Sequence, residues 1–545
     1  MCYTSGLMNR RDALKQGAGL VAGFAGAASR AWGGAYPQGK QAPSILILMC
    51  DQLSASALRC YGGPIPTPNL ERLARRGVTF TEATCTTSFC SPSRASLITG
   101  RYPHSHGIVY NVNKIDYPAI VAAGGSPPTE QGITAADTTT EKILNGAGYA
   151  THQYGKWHLS DTGGLPYYPD PYGEHLAYQR DMKAVFERVR ELPRDQWMDW
   201  YDWALPVTTT PAYAKADSIR RERWQEAKQP GFVIEFISKT GRLNLQVDQV
   251  FDYRVAEQTI RRIKAVGRNP FMITCSLNWP HDPNVVPSPY YDSFDPNRIK
   301  LPANFASPPE ARFAQEISRR IVTDAGDQGE AALRELLRIY AGCVRLVDDQ
   351  IGRVLDALNQ TGRADDTLIV FAADHGDMAG GHGMFWKSTS SFYDEIARIP
   401  FLISYPKYIK PGRSQLAVSL VDIMPTLLDF AGQPVPQGAQ GQSLAPYLLG
   451  QRDPASARAY SFCERVHANP EHRRQVAAGT PSSFMVRGQG WKYVTYPDGE
   501  EFFYHLAQDP GETQNLATQA AYQERKDLLR QELDAWLKQT AYPKS

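Results

Sequence analysis

The absences in this sequence narrow its class before any motif is read. Its 545 residues include eight cysteines, but no C-x-x-C pair and no zinc-type spacing among them. A zinc ribbon is thereby excluded, and the scatter is unlike a disulfide scaffold, although an oxidising compartment would permit a bridge such as Cys60–Cys85. The formal net charge is only +2, too little for the basic field that holds nucleic acid, so no nucleic-acid partner is expected. No apolar run approaches the ~18 residues a spanning helix needs, which argues against stable membrane insertion. Internal repeats and low-complexity tracts are lacking too. What remains is an ordinary globular composition, 42% hydrophobic, in a chain long enough for one large domain and a smaller one.

The N-terminus stands apart from the rest. Arg10-Arg11 is followed by Leu14-Lys15, a mild Ala/Gly-rich stretch, and small residues from Ala25 to Ala31 where a signal peptidase could cut. Residues 1–31 look like a twin-arginine (Tat) signal peptide, an address read by the Tat translocase. The expectation is a mature protein that is soluble, in the periplasm or secreted.

Beyond it, "SILILMCDQ" (44–52), "PFMITCSLNWPHDP" (270–283) and "DTLIVFAADHGD" (366–377) are continuous apolar runs that end in polar residues. Such runs suit strands buried on both faces. "IPFLISYP" (399–406) adds another apolar run. Helical patterns intervene: "TPNLERLARRGV", with Thr67 as N-cap and Pro68 in the first turn, and 340–362, closed by Gly362. The alternation predicts an α/β domain over 43–435 with a large, parallel or mixed central sheet flanked by helices. Ligands in such sheets bind beyond the carboxyl ends of the strands, so Asp51, His281, Asp374 and His375 should converge there. Residues 161–247 read as an insertion carrying Trp197, Trp200, Trp203 and Trp224, either its own small core or a sugar-stacking wall. From 440 to 545 the pattern changes to turns, a hairpin over "WKYVTYPDGEEFFYHL" and an amphipathic helix near 523–537, as in a smaller C-terminal α+β subdomain.

The chemistry centres on "FCSPSRASLITG" (89–100). Ser91 can cap a helix, Pro92 suits its first turn and Gly100 its end. Cys90 then lies at the helix N-terminus, where unpaired N–H groups and the helix dipole favour an anion. Arg94 adds a planar multi-donor cation one turn on. A structural thiol and a low-pKa redox thiol remain alternatives for Cys90 alone.

"CSPSRASLITGRYPHSHG" resembles the signature of the type I sulfatases, members of the alkaline-phosphatase-like superfamily. The likeness extends through "ILILMCDQLSA", "YGKWHL", "WPHDP", "DHGDMAGGHGMFWK", "VDIMPTLLDFAG" and "YHLAQDPGETQNLA" in family order. It implies that Cys90 is converted to Cα-formylglycine (3-oxoalanine) by a formylglycine-generating enzyme. Hydrated, that aldehyde carries two hydroxyls: one attacks the sulfur of a sulfate ester, and deprotonation of the other later expels sulfate. The family's metal ligands map onto Asp51, Cys90, Asp374 and His375. The oxygen-rich set favours calcium, while the imidazole admits manganese or another divalent metal. His158 matches the base that triggers sulfate elimination, and Lys156 a residue that binds the diol and sulfate oxygens. His281 and Lys387 match residues that hold the ester and protonate the leaving alcohol; His382 is a candidate for the pocket wall. His104 and His106, just past the nucleophile helix, fit structural roles.

Two departures bear on substrate. Many sulfatases carry paired aspartates after the first strand, where this chain has Cys50-Asp51, and Asp-Asn where it has Asp374-His375. Asp-Gln and Asp-His resemble a subgroup that includes choline sulfatases, iduronate-type sulfatases and phosphonate monoester hydrolases. The expected reaction is hydrolysis of a small-molecule or glycan sulfate ester, with a sulfated carbohydrate as leading substrate. A phosphonate or phosphate ester hydrolase on the same scaffold, and a silent glycan-binding protein, are the alternatives.

Overall fold

The computed structural model describes residues 42–112, 132–159, 182–193, 196–200, 203–227, 240–267, 269–309, 327–388, 391–467 and 476–543. The export signal expected over 1–31, residues 161–181, 194–195, 201–202 and 228–239 of the expected insertion, and the side chains of Trp200, Trp203 and Trp224 lie outside the described residues.

Seven strands form the central sheet: β1 (Ser44–Asp51), β2 (Val78–Phe80), β3 (Ala150–Gly155), β4 (Phe271–Pro280), β5 (Thr367–Ala373), β6 (Phe401–Ser404) and β7 (Gly412–Ser414). Their order is β7-β2-β6-β5-β1-β4-β3. β1 runs parallel to both β4 and β5, and β3 runs parallel to β4. β6 is antiparallel to β5 and β2, so the sheet is mixed. All eight residues of β1 and all ten of β4 are buried. The unbroken apolar runs of the sequence follow from this, because both faces of these strands are covered by other elements.

Three helices matter for the site. Helix α1 (Cys90–Thr99) ends at Gly100, whose φ of 65° is the left-handed conformation glycine adopts without strain. Helix α2 (Phe251–Ala265) packs on β4, and α3 (Asp327–Gln360) runs under the sheet against α2. The segment predicted as a helix from 340 thus begins thirteen residues earlier, since Asp327–Ile339 continues the same apolar periodicity with Leu333 and Leu336 buried. The helix predicted after Thr67 spans Pro68–Ala74. Beside the main sheet, Trp197–Trp200, Trp203–Thr209, Gly241–Leu243 and Val285–Val286 build a small four-stranded sheet in which Trp200 pairs with Trp203.

The C-terminal part is a four-stranded antiparallel sheet, β8 (Ser461–Val466), β9 (Ser482–Gly488), β10 (Trp491–Thr495) and β11 (Glu501–His505), in that order. β10 and β11 are the predicted hairpin. Helix α4 (Gln523–Gln539) covers the sheet with Leu529, Leu533 and Trp536, and the Trp536 ring stacks on Phe462 at 4.8 Å. The Cys60–Cys85 bridge that the sequence permitted is not formed. Every described cysteine is free, and the sulfur nearest to Cys85 is that of Cys463, 4.0 Å away. No helix among the described residues is long and apolar enough to cross a membrane.

Candidate active site

The carboxyl ends of β5, β1, β4 and β3 lie side by side, and each delivers chemistry there. Asp51 closes β1, Asp374 and His375 follow β5, His281 follows β4, and Lys156 and His158 follow β3. The convergence expected from strand polarity is therefore met, with β3 bringing two further groups. Gly155, at φ 84°, makes the turn into Lys156; a Cβ there would collide with the Ser276 carbonyl oxygen.

Helix α1 carries Cys90, the expected nucleophile position. Phe89, not Ser91, is its N-cap residue, and it caps without a side-chain hydrogen bond. Ser91 is already inside the helix: its hydroxyl accepts from the Val112 amide at 2.9 Å, and its amide donates to Asn111 at 3.2 Å. The prediction of a Ser91 cap fails because those tertiary contacts claim the hydroxyl. Cys90 becomes the first helical residue, fully buried, at the positive end of the dipole.

Arg94, one turn further, organises the acids. Its Nε donates to Asp374 Oδ2 at 2.8 Å and its Nη2 to Asp51 Oδ2 at 3.0 Å. Its Nη1 donates to the Ser276 hydroxyl at 2.8 Å and the Lys156 carbonyl at 2.9 Å. Lys156 Nζ also meets Asp51 Oδ2, at 2.6 Å. Both outer carboxylate oxygens are thus taken, and both inner ones face the cluster. Asp51 Oδ1 is 3.7 Å from Cys90 Sγ and 3.9 Å from His375 Nε2. Asp374 Oδ1 is also 3.9 Å from His375 Nε2, which lies 3.2 Å from the sulfur. The ring is aimed by its other nitrogen, since Nδ1–H donates to the Gly376 carbonyl at 2.9 Å.

One ligand atom each from Asp51, Cys90, Asp374 and His375 lies within 4.8 Å of the others, and all four residues are buried. The electrostatics fit a cation at their centre. Burial and the facing Cys90 push the Asp51 carboxyl up, but Lys156, His281 and Arg94 outweigh them and hold it well below the usual range. Asp374 goes the other way: burial and the Asp51 charge raise it against the pull of Arg94. Two buried carboxylates facing one point repel unless positive charge stands between them. These four residues can hold a divalent metal.

The remaining groups ring the thiol. Lys387 Nζ lies 3.3 Å from Cys90 Sγ and 2.9 Å from His281 Nε2. His281 Nδ1 faces the Asp282 carbonyl, which leaves Nε2 as the acceptor toward the lysine. His158, held at φ 59°, joins through a side-chain hydrogen bond to Cys90. Burial brings the His158 imidazole down to about 4, so it is neutral at physiological pH. Burial raises the Cys90 thiol, yet Lys387, Lys156 and His375 draw it well below its ordinary value. An anion is strongly favoured at this position.

His382 is elsewhere. Its buried ring stacks on Tyr393 at 4.0 Å, and its contacts give no support to a place on the pocket wall. His104 and His106 do pack structurally. His104 Nδ1 bonds to Glu464 Oε2 at 2.7 Å, and His106 Nε2 to the Ser96 hydroxyl at 3.1 Å.

Three contributors were not singled out from sequence. The Gln52 amide donates to Asp374 Oδ1 at 3.1 Å, and its side chain donates to Asp377 at 2.8 Å. Ser276 holds Arg94, as above. Asp252, at the start of α2, accepts the amides of Asn278 and Trp279 at 2.8 and 2.9 Å and fixes the strand end that leads to His281. Burial raises Asp252 to about 7. Gln52 stands inside a quoted motif and could have been found there; Ser276 and Asp252 act only through tertiary contacts.

Comparison with known proteins agrees with this geometry. The sulfatase family model matches residues 43–433, and a model described as N-sulphoglucosamine sulphohydrolase, C-terminal, matches 380–539. The chain is 28% identical over 530 residues to an N-acetylglucosamine-6-O-sulfatase of Bacteroides thetaiotaomicron, covering 91% of this chain and 86% of that one. It is 26% identical to the multifunctional alkaline phosphatase superfamily protein PehA of Trinickia caryophylli, covering 88% and 92%. Among solved structures, the phosphonate monoester hydrolase of Agrobacterium radiobacter superposes with a TM-score of 0.68 at 24% identity, over 91% of this chain and 96% of that one. A structure in complex with its substrate D-glucosamine-2-N,6-O-disulfate gives 0.66 at 23%, over 92% and 99%. These two structural likenesses establish the fold, a large mixed sheet flanked by helices. With its signature helix, its buried ligand set and a family model spanning most of its length, the chain belongs to the sulfatase family.

Proposed function

We propose that this sulfatase hydrolyses sulfate esters of a carbohydrate, with water, to the free hydroxyl and inorganic sulfate, using Cys90 as formylglycine and a divalent metal, calcium in preference. The observation that carries the reading is the meeting of Cys90 with Asp51, Asp374 and His375 inside a ring of three cations, Arg94, Lys156 and Lys387. Preorganised positive charge of this kind is commonly the largest contribution to catalysis on an anionic ester. A metal held by the four ligands would neutralise ester oxygens and acidify the hydrated group at position 90.

The chain's own residues divide the rest. Arg94 locks both aspartates so that their inner oxygens stay aimed at one point. Lys156 and Lys387 bind sulfate oxygens from two sides. His281 Nε2 and Lys387 Nζ share a proton for the departing alcohol oxygen. Neutral His158 accepts the proton whose removal releases sulfate. Carbohydrate is favoured as the substrate because the N-acetylglucosamine-6-O-sulfatase is among the relatives similar along nearly the whole chain. Export by the Tat translocase, and modification by a formylglycine-generating enzyme before export, complete the proposal.

The test is a substrate panel. Sulfate release from glucosamine 6-sulfate and from an aryl sulfate is expected to exceed hydrolysis of an aryl phosphonate monoester. A large preference for the phosphonate would replace the reading with that of a phosphonate hydrolase, which the resemblance to the Agrobacterium fold keeps in view.

A further inference from the structure

Strand β8 docks one edge of the C-terminal sheet along the segment that leads into the nucleophile. Cys463 faces Cys85, the Glu464 amide donates to the Thr86 carbonyl at 2.9 Å, and the Arg465 guanidinium lies 4.0 Å from the Phe89 ring centroid. Cys463 and Arg465 share a face of the strand by its two-residue period, while Glu464 points the other way to His104. Phe89 is covalently next to Cys90, so the ring that this guanidinium faces adjoins the reacting residue.

Its surroundings are unusual for a buried arginine. Arg465 is 7% exposed, and its Nη1 donates to the carbonyls of Val109 at 3.2 Å and Val466 at 3.1 Å. Its Nε is buried without a partner. A second ring, Tyr110, has its centroid 4.5 Å from the guanidinium and meets Phe89 edge to face. The other buried arginines among the described residues, Arg94, Arg338 and Arg487, each pair with a carboxylate. Arg465 makes no ion pair among the described residues. Burying a charge without a counter-charge is costly, and stacking on two rings offsets only part of that cost. Phe89 and Tyr110, which adjoin the guanidinium, and Asn111 are each partly exposed.

We infer that Arg465 binds a second oxyanion of the substrate, a carboxylate or a second sulfate near the scissile ester, and so selects polyanionic sugars over neutral ones. The inference rests on the sulfatase reading and deepens it. The guanidinium fork offers the free Nε to an oxyanion in the paired geometry such groups favour, and the two rings keep it desolvated and fixed.

The experiment uses the full chain, modified at position 90, and two variants. Arg465→Met keeps the aliphatic packing on the rings, and Arg465→Gln keeps a donor for the Val109 carbonyl; a thermal midpoint close to that of the parent establishes that each is folded. The measured quantity is the ratio of kcat/KM on glucosamine N,6-disulfate, and on a 2-sulfated uronate, to that on an aryl sulfate. Loss of a charge-assisted contact is expected to lower one of these ratios about 10–100-fold. The substrate that loses more identifies the oxyanion as sulfate or carboxylate. Ratios that stay at the parent value on both sugars would overturn the inference, including the case where all three activities fall together, which marks a purely structural arginine. If the parent releases no sulfate from any of these compounds, the sulfatase reading fails instead. Calorimetric affinity for glucosamine N,6-disulfate then decides on Arg465: weaker binding by both variants supports the subsite, and equal binding overturns it.

Discussion

Two clusters of buried charge in this molecule both set arginine and lysine against carboxylates, and they do opposite things. In the first, Lys492 is fully buried and its Nζ reaches the Phe392 carbonyl at 2.9 Å, Asp394 at 2.6 Å and Glu512 at 2.7 Å. Arg487 grips Asp394 with two bonds of 2.9 and 2.7 Å and pairs with Glu82 as well. Every charge there is answered by another, and the cluster ties the C-terminal sheet to Glu82 and Asp394 beside the central sheet. In the second, Arg94 and Lys156 take only the outer oxygens of Asp51 and Asp374. The inner oxygens, the Cys90 sulfur and His375 Nε2 face one another, with Asp374 Oδ1 held by main-chain amides and not by a cation. A closed cluster holds domains together; an open one holds a ligand.

The largest expected effect falls on the open cluster. Cys90→Ala should lower sulfate release by at least about a thousandfold, the scale of losing a covalent nucleophile, while the thermal midpoint stays near that of the parent. Lys492→Met breaks the closed cluster and reverses the pattern. It leaves Asp394 and Glu512 buried without their shared cation, a loss of about 3–5 kcal/mol, read as a lower denaturation midpoint in urea, with kcat on the folded protein retained. A variant of Lys492 that lost activity without losing stability would erase the contrast.

A chelator offers a gentler comparison. It should abolish turnover and lower the thermal midpoint of the parent, and calcium should restore both. Saturation at a hundred times the dissociation constant is worth about 2.7 kcal/mol. The midpoint of a double variant lacking Asp51 and Asp374 side-chain charge should not respond to calcium, while Lys492→Met should respond as the parent does.

The smallest effect concerns His104, which joins α1's neighbourhood to the C-terminal subdomain. Burial lowers its pKa, but the charge and hydrogen bond of Glu464 and the Thr540 carbonyl outweigh this and raise it above 6.5. A raised folded value contributes stability in full below the unfolded pKa of about 6.5, and loses it as pH rises through the folded one. Thermal midpoints of the parent and His104→Gln should therefore differ most in mildly acidic buffer, by the equivalent of about 1.5–3 kcal/mol, and approach each other in alkaline buffer. A gap that widened with pH would show that the ion pair is not what His104 contributes.

The same contrast explains what was legible in the sequence. β1, β4 and β5 are buried on both faces, so their apolar runs stand out and their polar ends fall at the site. β3, at the sheet edge with residues such as His152 only half buried, has no such run, and it was found as a motif and not as a strand. The open cluster is made of motif residues at strand ends, which is why nine of its members could be named in advance by chemistry and resemblance. His382 lay inside a motif too, yet its ring turned to Tyr393; motif membership fixes a residue's neighbourhood, not the direction of its side chain. Asp252, Ser276 and Arg465 were invisible because each acts through contacts distant along the chain that only the fold creates. Likewise, the closed cluster joins Glu82, Asp394, Arg487 and Glu512, and no local pattern announces it.

The proposed reaction depends on the chemical identity of position 90, and peptide mass spectrometry across 89–101 in active protein tests it most directly. Conversion of Cys90 to formylglycine predicts a peptide lighter than the encoded one by about 18 Da, from exchange of the thiol for a carbonyl oxygen. Fully active enzyme whose peptide retains the intact thiol would contradict it.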